Sequence, residues 1–100
     1  MATAEPRHWP TREHRDLFET IASLRTKEEA ERFLRDLCTR AELDAMAHRW
    51  QMARLLDKGL PYLEVARRTH ASTTTVTRVA QWLRRGEGGY RLALQRRARS

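Results

Sequence analysis

The sequence predicts an all-α fold of about six helices, and three features of its patterning carry that expectation. Apolar residues recur at three- and four-residue spacings from Leu17 onward, the period of an amphipathic helix. Threonines followed three positions later by Glu, and a glycine just past an apolar stretch, mark helix starts and stops. Alternating apolar and polar runs, which mark half-buried strands, are poorly developed throughout.

Met1 to Pro10 has two prolines and no periodicity, so it reads as a flexible arm in front of one domain, residues 11–100. Thr11 can cap a first helix carrying Leu17, Phe18, Ile21 and Leu24, with Trp9 as a staple onto it. Thr26 to Glu29 is a capping box, in which hydroxyl and carboxylate satisfy backbone N–H groups reciprocally. The helix it opens has Ala30, Phe33, Leu34 and Leu37 as its stripe. A second box, Thr39 to Glu42, opens the longest helix, about 40–58, with Leu43, Met46, Ala47 and Trp50 on one face. Met52, Leu55 and Leu56 widen that arc, as in a helix buried on more than one side. Gly59 stands where a left-handed residue ends the helix. Pro61 suits the first turn of a short helix, about 61–69, with Leu63, Val65 and Ala66 available for packing. After His70-Ala71-Ser72, Ser72 or Thr73 caps a helix of about 73–85, whose inner stripe is Val76, Val79, Ala80 and Leu83. Gly86, Gly88 and Gly89 form a loop, and Tyr90 to Arg99 a last basic helix with Leu92 and Leu94.

Composition narrows the function classes. The formal net charge of +7 is unevenly placed: residues 1–50 hold 9 basic and 10 acidic residues, residues 51–100 hold 11 and 3. A near-neutral half followed by a basic half suggests a scaffold or dimerisation part joined to a polyanion-binding part. Eighteen of the 20 basic residues are Arg, which suits planar, two-pronged contact with phosphate and guanine. No apolar run approaches the roughly 20 residues that span a bilayer, so no membrane role is expected. With no apolar signal-peptide core at the N-terminus, a cytoplasmic location is expected. The single cysteine, Cys38, excludes an intramolecular disulfide and reads as a buried thiol. No pairing of Cys38, His48 and His70 has zinc-site spacing, and no catalytic arrangement or phosphate loop is recognisable. The expectation is a non-enzyme without metal or cofactor.

Residues 60–85 have the form of a helix-turn-helix: a short helix, three linking residues and a second helix. Ala66 stands where the two helices must approach closely, and Val76 and Val79 take the second helix's buried positions. The exposed face is then Thr74, Thr77, Arg78, Gln81 and Arg85, with Thr73 at its leading end. Arg can grip guanine with two bonds, Gln can pair with adenine, and Thr offers a hydroxyl and a methyl. Tyr62, Arg67, Arg68 and Arg84 flank this face as candidate phosphate contacts. His70 departs from the glycine this turn usually prefers, although His tolerates left-handed φ better than most residues.

The blocks Leu37 to Trp50, Leu55 to Gly59 and Ala71 to Val79, followed by Gly88-Gly89-Tyr90-Arg91, resemble the Trp-repressor-like superfamily, most of all its YerC/YecD branch. The resemblance spans about residues 14–96. It implies an intertwined homodimer whose N-terminal helices interlock and whose two helix-turn-helix units project outward to bind double-stranded DNA. In that superfamily's repressor, tryptophan binds between the long helix and the recognition helix, beside two arginines that fall here on Arg49 and Arg78. Val79 and Trp82 stand where the repressor has small residues, so Arg49, Arg78, Val79 and Trp82 outline the corresponding pocket. If Trp82 packs inward it props the recognition helix and leaves L-tryptophan no room. Its position at the edge of the apolar stripe also allows it to point outward, and another small-molecule co-repressor stays open. The expected function is a dimeric, sequence-specific DNA-binding regulator of transcription, with repression the expected mode although the sequence does not fix the sign of regulation. The alternatives are an RNA- or ribosome-associated basic protein and a helical adaptor for an acidic protein.

Overall fold

In a computed structural model, which describes residues 8–99, the chain forms six α-helices, and no strand occurs among the described residues. They are α1 (Arg12–Ala22), α2 (Lys27–Leu37), α3 (Arg40–Asp57), α4 (Tyr62–Thr69), α5 (Thr73–Arg85) and α6 (Gly89–Arg99). The expected arm lies outside the described residues as far as Arg7. Two compact units result, residues 1–39 and 40–100.

In the first unit, α1 starts at the expected cap. Thr11 Oγ1 accepts from the His14 N–H at 3.4 Å, and His14 Nδ1 accepts from the Thr11 N–H at 3.1 Å. A histidine thus completes a reciprocal cap more often closed by Glu. The Trp9 ring stands edge-on to His14 with centroids 4.2 Å apart, which is the staple expected of it. At α2, Thr26 Oγ1 accepts from the Glu29 N–H at 3.1 Å, but the Glu29 carboxylate turns to the N–H of Arg25 at 2.8 Å. The box therefore closes one residue earlier than expected. Phe18, Ile21 and Leu37 are exposed, and no residue of α1 or α2 is buried. Cys38 is half-buried and unbridged.

The core belongs to the second unit. Met52 and Ala53 of α3, Val65 and Ala66 of α4, and Val76 and Val79 of α5 form one buried cluster. Burying a valine or methionine side chain contributes about 1.5–3 kcal/mol, so these few residues supply most of the apolar stabilisation of the three-helix contact. Trp50 and Tyr90 stack with centroids 6.4 Å apart and planes 13° from parallel, which ties α3 to α6. The first half of α3 behaves otherwise: Met46 and Ala47 of its expected stripe are exposed. Leu63, expected to pack, is 75% exposed.

Two helices of this unit end in the same way. At the end of α3 the Gly59 N–H donates to Leu56 O at 2.9 Å and the Leu60 N–H to Leu55 O at 3.3 Å. At the end of α4 the His70 N–H donates to Arg67 O at 3.4 Å and the Ala71 N–H to Ala66 O at 3.0 Å. Both are the paired Schellman closure, whose pivot residue takes positive φ. The pivots are Gly59 at φ 88° and His70 at φ 56°.

Candidate nucleic-acid interface

The left-handed His70 lets α4 stop and α5 start within three residues. Ser72 is the cap of α5: its Oγ accepts from the Thr75 N–H at 3.2 Å. Thr69 is buried, and its hydroxyl donates to Val65 O at 2.7 Å, so this polar group under the turn is satisfied. Ala66, Val76 and Val79 are all buried where the two helices meet, as the spacing predicted.

With Val76, Val79 and Ala80 inward, helical geometry turns Thr74, Arg78, Gln81 and Arg85 directly outward, and all four are exposed. Thr73 is exposed at the leading end. Thr77 is half-buried, and its hydroxyl donates to Thr73 O at 2.8 Å, which leaves that oxygen able only to accept. Arg84 Nη1 donates to the Tyr62 hydroxyl at 3.0 Å and bridges α5 to the start of α4. Arg84 and Tyr62 thus hold each other on the flank of the outward face.

Arg67 and Arg68 are not free cations. Both converge on Glu64: Arg67 Nε donates to Oε1 at 3.2 Å and Nη2 to Oε2, while Arg68 Nε donates to Oε2 at 2.7 Å. Donation from Arg67, then from Arg68, holds the Glu64 carboxyl below the usual carboxylate range. Glu64 is not among the site residues expected from the sequence. Its spacing of three and four residues from two arginines on one helix was the signal that could have found it.

Of the four residues outlined for a tryptophan-like pocket, Arg78 and Trp82 line one concavity. Val79 is buried in the core. Trp82 is 64% exposed, which corrects the inward-packed alternative: its indole does not prop the helix from within. It lines instead an open concavity of about 440 Å³ on α5 with Arg78, Gln81 and Arg85. Arg49 is exposed on α3 and is not part of that lining. Gly86 follows closely, since a Cβ placed there would stand 2.5 Å from Trp82 O. Among the described residues no group of three or more His, Cys, Asp or Glu could hold a metal ion, and no helix is long and apolar enough to cross a membrane.

Comparison with known proteins fits this geometry. The sequence profile of the Trp repressor protein family matches residues 12–98. Over 80 residues the chain is 42% identical to the uncharacterized protein YerC of Bacillus subtilis (strain 168), a match covering 80% of this chain and 77% of YerC. Its fold is similar to a solved TrpR-like protein from Eubacterium eligens ATCC 27750, with a TM-score of 0.82, 35% identity, and 89% and 92% of the two chains covered. A candidate Trp repressor from Staphylococcus aureus follows, with a TM-score of 0.79, 32% identity and 86% of each chain covered. A profile match over most of the chain, together with identities above 30% to a relative and to solved structures that share the six-helix fold, makes this chain a member of the Trp repressor family.

Proposed function

We propose that the protein is a sequence-specific DNA-binding regulator of transcription, a repressor that acts as a homodimer without a tryptophan co-repressor. The observation that carries the reading is the outward face of α5. Thr74, Arg78, Gln81 and Arg85 stand exposed on a helix held by a well-formed turn and a buried opposite face. These groups match base edges in the major groove, while Thr73, Thr77, Tyr62, Arg67, Arg68 and Arg84 border them as backbone contacts. The exposed apolar residues Phe18, Ile21, Leu37 and Met46 support a homodimer, since a second copy would cover them. Tryptophan independence rests on Val79, which fills core space where the resemblance places a small residue facing a ligand.

Selection of bound duplexes from a random pool tests the reading. Enrichment of one two-fold symmetric motif, bound at equal affinity with and without L-tryptophan, is the expected result. Equal retention of all duplexes, or preference for structured RNA or an acidic protein, refutes it. Sedimentation equilibrium at micromolar concentration should give twice the 11.8 kDa chain mass, and a single-chain mass would remove the dimer.

A further inference from the structure

Glu64 belongs to none of the roles assigned above, yet it has the most crowded ionic surroundings described in the second unit. It is the one carboxylate in residues 60–85, a stretch that also holds five arginines. Its side chain is only 29% exposed, whereas those of Arg67 and Arg68 are 72% and 54% exposed. The two arginine head groups are therefore open to an approaching anion, and the group that now satisfies them sits beneath. A carboxylate offers two oxygens in the geometry that a phosphate also offers to guanidinium groups.

Resting on the DNA-binding reading, we propose that Glu64 is a built-in competitor for backbone phosphates at Arg67 and Arg68, which lowers the sequence-independent part of the affinity. A phosphate reaching Arg67 competes with two hydrogen bonds accepted by Glu64, and one reaching Arg68 competes with one. Its gain at these positions is small on any duplex. The base-edge contacts of α5 do not involve Glu64 and keep their full value on the right sequence. Glu64 thus sets how much of the total affinity comes from charge alone.

Glu64→Gln tests this in the full chain, because it keeps the shape and removes the charge. Binding to a random-sequence duplex and to a selected duplex is measured from about 50 to about 200 mM salt. Each freed phosphate contact steepens the fall of log K with log salt by roughly 0.9, so two make the variant's advantage on random duplex ~10-fold larger at about 50 mM than at about 200 mM salt. The affinity ratio of selected to random duplex must stay unchanged, because the phosphate contacts are common to every sequence. Glu64→Ala must act in the same direction, and adding Arg67→Ala and Arg68→Ala to either variant must cancel the gain. An unchanged slope, or weaker binding by a variant with a wild-type circular dichroism spectrum, overturns the proposal and makes Glu64 a positioning residue. Failure of the wild type to bind any duplex would instead strike the DNA-binding reading itself.

Discussion

His70→Gly should make the protein more stable, and the molecule contains its own reference for the size of the effect. The closures after α3 and α4 use the same pair of backbone bonds, one pivoting on Gly59 and the other on His70. At φ 56° and ψ 42° the histidine lies in the left-handed region, where a side chain costs roughly 1–2 kcal/mol relative to the right-handed helix. Its ring is exposed and makes no hydrogen bond among the described residues, so glycine loses no contact. Against the relief stands the greater freedom of glycine in the unfolded chain, about 0.5–1 kcal/mol. The balance is a gain of about 0.5–1 kcal/mol, or ~2–6 °C in Tm for a domain of this size. Thermal unfolding followed by circular dichroism at fixed chain concentration measures it. Both closing bonds are made by backbone groups, so DNA affinity should change less than about twofold. Gly59→His is the mirror experiment and should lose about as much as His70→Gly gains. A lowered Tm for His70→Gly would refute the reasoning, because it would mean that the imidazole stabilises the turn through its side chain.

Arg78→Ala should cost roughly 1–3 kcal/mol on the selected duplex and relax the preference at one base pair, which repeated selection with the variant would reveal. Arg84→Ala should instead weaken all sequences alike and release Tyr62, so a change confined to one base pair would misplace that residue. Gly86→Ala brings a Cβ against Trp82 O at 2.5 Å, and its urea midpoint should fall by about 1–3 kcal/mol equivalent. Trp82→Ser should leave stability within about 0.5 kcal/mol, as for other exposed positions; a larger loss would show that the indole is covered in solution.

Backbone punctuation was legible because its causes are local. Gly59, Pro61, the three-residue turn and the Ser72 cap each follow from what one or two residues permit. Side-chain direction was legible where it lay at the centre of an arc, as for Val76, Val79 and Ala80. It failed at the edges. Trp82 and Leu63 stand near the boundary between inner and outer faces, where a small rotation of the helix decides burial, and periodicity alone does not fix that rotation. The stripes of α1 and α2, and separately that of early α3, read as core in the sequence and stand open in one chain, since a stripe does not say whose surface completes it. At the site, the outward residues of α5 could be named from spacing. The state of Arg67 and Arg68 could not be named while their charge was counted apart from Glu64.

Six of the first seven residues of α5, Thr73 to Thr77 and Val79, are β-branched, with Arg78 the exception. Each such residue is about 0.5 kcal/mol less favourable in a helix than alanine, or about 3 kcal/mol together. The reading helix is therefore intrinsically the weakest in the motif, and it owes its order to the Ser72 cap and to the burial of Val76 and Val79. Amide exchange in its first two turns should track the integrity of the α3–α4 platform beneath rather than any local property. A lesion in that platform, such as at Met52 or Val65, would silence sequence recognition through local unfolding of α5 while the other helices still gave a helical spectrum.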